Sequence, residues 1–590
     1  MCGIVGYIGN RNDVGSLLLD SLKKLEYRGY DSCGMTTISS NEILIKKDVG
    51  KIEQVNEKVN FTELKGTIGI AHTRWSTHGG VTKENAHPHL SNNRKIAVAH
   101  NGIVENYQEL RNFLKENGFT FYSSTDTEVI PNLIEFEMKS GKTFEKSVID
   151  ALKKIEGNYA ILALHADEKK LVAARKGAPL VLGVADDGHF ISSDIPSFLE
   201  HTKDVTYLHD GDVVILGNSL TIFNLLEDRE VVRPVDTVDW SIEQAMKGNF
   251  DHFMLKEISE QVETVQRAVE QDKGIIFEIA QQIKEAKGVF FVACGTSYHA
   301  CLTASYLFSK IAKMHINVVV ASEFPSYEHF LTDKTLVIAV SQSGETADVL
   351  EAVKTAKNKN SKIISLVNVM GSSLHRYSDQ SLMMYAGPEI CVVATKTYTS
   401  QLAILTLLAY ALADKYEQGK QELKYLWNLI YNITSANTRD KIKELAERLK
   451  DSNHIFLIGR GLQYPTALEA ALKIKEVSYI HAEGFSGGEL KHGPITLIEN
   501  GTPCIVFVSE ENEKETISNA IEIKSRGGFI IGVASKNNEV FDFFIKVPEV
   551  GSTNPIAQII PIQILGYQLA LLRGHDPDMP RNLAKSVTVK

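Results

Sequence analysis

Gly288-Val289-Phe290-Phe291-Val292-Ala293-Cys294-Gly295-Thr296-Ser297 reads as an apolar strand running into a small-residue turn and then a helix. Asn453-His454-Ile455-Phe456-Leu457-Ile458-Gly459-Arg460-Gly461 has the same form. Each is followed by a second strand with a polar turn, Leu336–Val340 into Ser341-Gln342-Ser343-Gly344-Glu345-Thr346 and Pro503–Val508 into Ser509-Glu510-Glu511. A third apolar strand then closes each copy, Ile363–Val367 and Phe529–Val533. Strand, turn and long helix in alternation imply parallel sheets wrapped by helices, so the second half is expected to hold two copies of one doubly wound α/β unit.

Working outward, residues 251–430 and 431–575 are expected to be the two repeats, with residues 576–590 as a tail. A polar segment, residues 234–250, precedes them as a linker. Residues 2–233 differ in texture, with short apolar strands such as Gly66–Ala71, Ile96–Ala99, Ala160–Leu164 and Gly211–Leu216 and fewer helical patterns, as at Val14–Leu25 and Val129–Lys139. This part is expected to be an α+β domain with sheets at its centre.

Composition bounds the function. With 590 residues, 43% hydrophobic and 23% charged, the chain can bury several cores of an ordinary soluble kind. The net charge of -10, with no cluster of Lys and Arg, argues against a nucleic-acid surface. The apolar run Leu402–Ala413 is shorter than the ~20 residues that span a bilayer, and no basic-then-apolar leader follows Met1, so a cytoplasmic protein without membrane partners is expected. Six scattered cysteines suit reduced thiols there.

The chemistry begins at Cys2. Once Met1 is trimmed, one residue carries both a thiol nucleophile and a free α-amine, and an amine that titrates near ~7.7–8.0 rather than ~10.4 serves as a base at neutral pH. Asn101 and Gly102 offer a side-chain amide and a backbone N–H to a tetrahedral oxyanion. Arg74 and Asp126 offer a fork and an acid to the carboxylate and ammonium of an amino-acid substrate. His72, His78, His87, His89 and His100 fit no standard metal-ligand spacing, so no metal is expected. In the repeats, Thr296, Ser297, Ser341, Gln342, Ser343 and Thr346 lie in strand-to-helix turns, where hydroxyls and helix N-termini bind a phosphate without any lysine. A helix over Thr466–Ser478 places Glu469, Lys473 and Glu476 on one face. Read alone, that triplet is a solvated face with a Glu-to-Lys pair, and Ser341–Thr346 is equally a turn and N-cap.

Cys2-Gly3-Ile4-Val5-Gly6, Glu26-Tyr27-Arg28-Gly29-Tyr30-Asp31-Ser32, His72 to Gly79 and His100-Asn101-Gly102 together resemble the class II glutamine amidotransferases of the N-terminal-nucleophile superfamily. Cys294–Ser297 with Ser341–Thr346 resembles the sugar-isomerase (SIS) fold. Over its length the chain is similar to the family of isomerising aminotransferases that pass glutamine nitrogen to fructose 6-phosphate and yield glucosamine 6-phosphate. The resemblance implies an αββα glutaminase domain followed by two SIS domains, two small-molecule substrates (glutamine and fructose 6-phosphate), no cofactor and a homodimer. It implies that Cys2 attacks the glutamine amide, with Asn101 and Gly102 at the oxyanion and Arg74 and Asp126 at the amino-acid end. Trp75, Thr77 and His78 would lie on a closing loop, with Trp75 gating an internal ammonia channel. It implies that the loop residues from Thr296 to Thr346 contact the sugar phosphate, that Glu476 moves a proton between C1 and C2, and that Lys473 handles the C1 hydroxyl. His492 would assist ring opening from a neighbouring subunit, and Lys585 would form a Schiff base at C2. One departure stands out: the family's Val-Ala-Ser-Thr-Lys is Val392-Val393-Ala394-Thr395-Lys396 here, which puts a direct side-chain contact at Ala394 in doubt.

Two other readings fit parts of the pattern. A class II amidotransferase serving phosphoribosyl pyrophosphate or an aspartyl adenylate is opposed by the duplicated SIS unit and by the absence of a P-loop. A non-enzymatic sugar-phosphate sensor would keep Ser341–Thr346 and tolerate loss of Glu476 and Lys585.

Overall fold

Two-residue alternation lets a strand bury both faces at once, and the strand Gly3–Gly9 does so. Ile4 enters the space between two sheets, while Val5 and Tyr7 face the helix Val14–Lys23. The computed structural model describes residues 2–76 and 78–588. Its N-terminal domain stacks an eight-stranded antiparallel sheet on a seven-stranded one. Gly3–Gly9 lies between Gly188–Ser192 and Ile68–Arg74 in the first sheet, and Ile96–Gly102 lies between His89–Leu90 and Tyr159–His165 in the second. Gly6 lets the sheets approach, since a Cβ there would stand 3.1 Å from Leu162 of the facing sheet. Helices Val129–Met138 and Phe144–Leu152 cover the outer face of the second sheet, completing the αββα layers.

Two of the strands run past the apolar runs that mark them in the sequence. Ile68–Arg74 and Ile96–Gly102 continue through His72, Thr73, Arg74, His100 and Asn101, all buried, because ladder pairing with Gly3–Ile4 and with Tyr159–Ile161 persists there. These polar strand ends and Cys2 meet at one edge of the sandwich.

The second half holds two parallel five-stranded sheets. In the first the spatial order is Asn317–Val320, Gly288–Ala293, Thr335–Ser341, Lys362–Val367, Gln380–Met383. In the second it is His481–Ser486, His454–Gly459, Pro503–Phe507, Phe529–Ala534, Phe543–Lys546. Numbered along each unit, both read 2-1-3-4-5, and such a sheet opens a crevice between the C-terminal ends of its first and third strands. One hydrophobic core spans the two units, drawing on helices Lys396–Leu412, Gln463–Ser478 and Asn554–Leu572. The segment Gly551–Leu572 is a longer apolar run than Leu402–Ala413, and is long and apolar enough to cross a membrane by composition; most of it is buried inside this core.

Residues 234–250 are partly stitched to the N-terminal domain. Asp236–Thr237 pairs with Asp204–Val205 at the sheet edge, and Ser241 and Gln244 form a capping box on a short helix. Domain contact is polar and buried. Arg175 donates to Leu208 O at 2.9 Å and to Ser373 Oγ at 2.9 Å, and stands 3.4 Å from Asp210 and 3.7 Å from Glu345. Beside it Gly371 packs on the Tyr207 ring, in a conformation (φ +69°) that disfavours a side chain. Gly371→Ala would place Cβ 2.3 Å from Tyr207 Cγ. The expected loss is at least about 1–2 kcal/mol from the backbone alone, read as a lowered thermal midpoint by calorimetry.

Two candidate active sites and the tail between them

At the edge of the sandwich, Cys2 Sγ accepts the Trp75 N–H at 3.2 Å. Burial pushes the thiol up, while that N–H and the Arg74 charge pull it down. Asn101 Nδ2 donates to Cys2 O at 2.9 Å, so the amide's N–H side faces the nucleophile. His72 fixes that orientation. Its Nε2 lies 3.1 Å from Asn101 Oδ1 and 3.1 Å from His100 O, both acceptors, so Nε2 carries the proton. Burial lowers the His72 pKa to about 3, which keeps the ring neutral at working pH, and it stacks on His87 at 4.1 Å. Gly102 follows at φ +126°, where a Cβ would strike Asn158 O.

Arg74 is buried and already engaged. It donates to Gly80 O at 3.0 Å, to Gly79 O at 2.9 Å and to His78 O, and so anchors the loop after the strand. Three of its five N–H groups are taken, leaving two for a carboxylate. Asp126 is buried and accepts Val104 N–H at 2.8 Å. Trp75 meets Tyr30 edge-on at 5.5 Å, and His78 faces Tyr107 at 6.0 Å. Thr77 lies outside the described residues. A cleft of about 620 Å³ opens here between His78, Val104 and Tyr107 of the sandwich and Leu350, Glu351 and Lys354 of the first repeat, with Thr588 of the tail at its rim.

The second centre occupies the crevice of the first repeat. A cavity of about 190 Å³ is lined by Thr296, Ser297, Ser341, Gln342, Ser343 and Thr346, by Glu476 from the second repeat, and by Leu583–Val587 of the tail. Helices Gly295–Leu307 and Ala347–Asn358 both begin at it, with their N-termini toward it. Ser341 Oγ accepts Gly344 N–H at 3.1 Å, and Ser343 Oγ meets Ser586 Oγ at 2.8 Å. The tail therefore closes the phosphate loop, and Ala347 N–H donates to Val587 O at 2.9 Å.

Glu469 and Lys473 are fully buried, so this face of the helix Gln463–Ser478 is no solvated one. Lys473 Nζ lies 2.6 Å from Glu476 and 3.3 Å from Glu469, and donates to Thr296 Oγ1 at 2.9 Å and Ala394 O at 3.2 Å. The two carboxylates hold the lysine protonated against its burial. Burial raises Glu476, with the Lys473 charge opposing. Position 394 thus takes part through its carbonyl, which a serine-to-alanine change leaves in place. Lys585 Nζ donates to Glu389 Oε2 at 2.5 Å and to Cys391 O at 2.8 Å. His492 is exposed in the turn Glu489–His492 and does not line this cavity. No group of three or more potential metal ligands occurs among the described residues.

Glu389, Glu469 and His72 escaped the choice of site residues from the sequence. A buried acid just before Val392–Lys396 was the available signal for Glu389, and the spacing from Lys473 was that for Glu469.

The description "Glutamine amidotransferase domain" matches residues 72–200, and "SIS domain" matches residues 282–411 and 448–567. Glutamine–fructose-6-phosphate aminotransferase (isomerizing) of Thermococcus kodakarensis is 46% identical over the whole of both chains, and that of Methanothermobacter thermautotrophicus is 45% identical, again over the whole of both. The chain belongs to this aminotransferase family. A solved C-terminal domain of glucosamine-fructose-6-phosphate aminotransferase from Francisella tularensis is 36% identical with a TM-score of 0.53, covering 57% of this chain and 100% of its own.

Lys473→Met would leave Glu469 and Glu476 buried without their cation. A cost of about 3–5 kcal/mol is expected, read by chemical denaturation, with Glu469→Gln and Glu476→Gln added to the variant restoring most of it.

Proposed function

We propose that the chain transfers the amide nitrogen of glutamine to fructose 6-phosphate and isomerises the product to glucosamine 6-phosphate, releasing glutamate. The observation that carries this reading is the convergence in one cavity of a hydroxyl-lined phosphate crevice, the Glu476–Lys473 pair and the tail lysine Lys585, on a chain whose Cys2 centre the same tail approaches.

The first half-reaction starts from Cys2 as the mature N-terminus. Its amine takes the thiol proton and the thiolate attacks the glutamine amide carbon. Asn101 Nδ2, held by His72, and the Gly102 N–H meet the oxyanion as it forms. Ammonia leaves, and water hydrolyses the thioester. Arg74 and Asp126 hold the amino-acid end, under a lid that includes Trp75 and His78.

In the second half-reaction the phosphate sits on Ser341, Gln342, Ser343, Thr346, Thr296 and Ser297 at the two helix N-termini. Lys585 forms an imine with C2 of the open ketose, and ammonia displaces it. Glu476 then carries a proton between C1 and C2. A carboxyl raised by burial suits a group that must both accept and return a proton near neutral pH. Lys473 steadies the C1 oxygen. His492, exposed on its own subunit, would reach the site of a second copy to open the sugar ring, so a cytoplasmic homodimer is the working unit, with no metal or organic cofactor. The domain bounds 2–233, 251–430 and 431–575 and the tail 576–590 go with this assignment.

Purified protein given both substrates is expected to form glucosamine 6-phosphate and glutamate in equal amounts, with glutamine hydrolysis much faster when fructose 6-phosphate is present. Cys2→Ala should abolish glutamine hydrolysis yet retain conversion of fructose 6-phosphate to its aldose isomer. Folded protein that forms no amino sugar, or an active preparation whose mass still includes Met1, would reject the reading.

A further inference from the structure

Lys585 must be a neutral amine before it can attack a carbonyl, yet an ordinary lysine ammonium, near ~10.4, is neutral in only about one in two thousand molecules at pH 7. Its side chain is only 6% exposed, so its proton has to leave to a group already in contact. That group is Glu389, itself fully buried at the side chain, whose Oε2 lies 2.5 Å from Nζ. The carboxylate is held on its other side: Oε1 accepts Thr395 N–H at 3.0 Å and Thr397 N–H at 3.1 Å, while the Thr397 hydroxyl lies 2.9 Å from Oε2. One oxygen is pinned by backbone, and the other faces the amine.

We propose that Glu389 is the catalytic base that takes the proton from Lys585 and the acid that returns it when the imine forms. The inference rests on the reading of Lys585 as the imine-forming residue. The step balances. The ammonium gives one proton to Glu389, and the nitrogen lone pair forms the N–C2 bond as the carbonyl π pair moves to oxygen. A proton shifts from that nitrogen to the alkoxide, giving the neutral carbinolamine. Glu389 then protonates the hydroxyl, water departs, and the nitrogen lone pair forms the C=N bond. Lysine ammonium plus ketone thus become protonated imine plus water, and Glu389 ends as the carboxylate facing the new cation.

The surroundings favour such an exchange. Glu389 faces Lys585 from the tail and Glu257 from the helix Phe253–Ser259, while Lys396, paired with Glu260 at 2.7 Å, acts on Glu257. Across a cavity of about 80 Å³ stand Arg28, Arg175, Asp194 and Glu345. Burial raises Glu389, and the Lys585 charge brings it below the usual carboxylate range. Once the proton crosses, that charge is gone and burial alone acts, which favours the neutral pair. Glu257, bound to the Ile390 and Cys391 N–H groups, is pushed up to about 8 by burial and by Glu389, so it adds little negative charge of its own at neutral pH.

Borohydride trapping of fructose 6-phosphate on the protein, followed by intact mass and mapping of the tail peptide, tests this in the full-length chain. Wild type should trap at a rate nearly flat from about pH 6.5 to about 8.5, and Lys585→Arg should not trap. Glu389→Gln should trap about 100-fold more slowly at pH 7, with a rate rising about tenfold per pH unit as solvent hydroxide replaces the base. Glu389→Asp should recover part of the rate and of the flat profile. Absence of an adduct in wild type would overturn the imine reading itself and this proposal with it. An adduct in wild type together with Glu389→Gln trapping at the same rate and pH profile would overturn the proposal alone. A merely structural Glu389 would weaken fructose 6-phosphate binding and lower the thermal midpoint in both variants, with the trapping profile left flat, and that outcome also counts against it.

Discussion

The ion pair between Lys585 and Glu389 sets the terms for the rest of the molecule, because it draws the segment that follows the last helix into the interior. Burying two charges costs several kcal/mol per ion unless geometry and further hydrogen bonds offset it. Here the offsets are visible. Glu389 collects two backbone N–H groups and a threonine hydroxyl, Lys585 adds the Cys391 carbonyl, and Asp578 receives the Phe253 and Met254 N–H groups further up the tail. With so many partners fixed, the tail becomes a wall of the phosphate crevice.

The duplicated units differ in what their crevices present. Both sheets share the 2-1-3-4-5 order, so topology alone offers two switch points. In the first, the loop after the third strand carries hydroxyls and leads to helix N–H groups that an anion can reach. In the second, the corresponding loop is Ser509-Glu510-Glu511, which offers one hydroxyl and two carboxylates, and the helix opens with Glu513 and Glu515 where the first has Asp348 alone. The second copy contributes differently: its helix Gln463–Ser478 sends Glu469, Lys473 and Glu476 across to the crevice of the first. Neither copy alone brings together the hydroxyl-lined loop and the Glu469–Lys473–Glu476 face.

This division explains what could be read in advance. Repetition of strand, turn and helix exposed the two units, and the hydroxyl-rich turns exposed the crevice, because both are written in contiguous residues. The strands of the sandwich were visible only as far as their apolar runs. Their polar ends at His72–Arg74 and His100–Gly102, which carry the first site, are held by ladder partners distant in sequence. Glu469 sits on the face that carries Lys473 and Glu476, yet spacing cannot tell a solvated face from a buried one. Glu389 gives still less local sign, since its value lies in a lysine nearly two hundred residues away (|i−j| 196). Arg74 was read as a fork for a substrate carboxylate, but its bonds to the carbonyls of residues 78–80 depend on a loop that folds back onto it.

The tail also gives the two centres a physical reason to act together. Tyr30, the edge-on neighbour of Trp75, donates its hydroxyl to Pro580 O at 2.9 Å, only a few residues before Lys585. Trp75 in turn supplies the N–H that meets Cys2 Sγ. At the other end Ser586 meets Ser343, and Val587 O caps the helix Ala347–Asn358, whose Leu350, Glu351 and Lys354 line the cleft against His78, Val104 and Tyr107. A phosphate that rearranged Ser343 would therefore act on the tail and on this helix together, and both lead back to the Cys2 loop. Ammonia released into water would be protonated and lost as a nucleophile, so a molecule that makes it at one centre and uses it at another gains most when the same segment closes both.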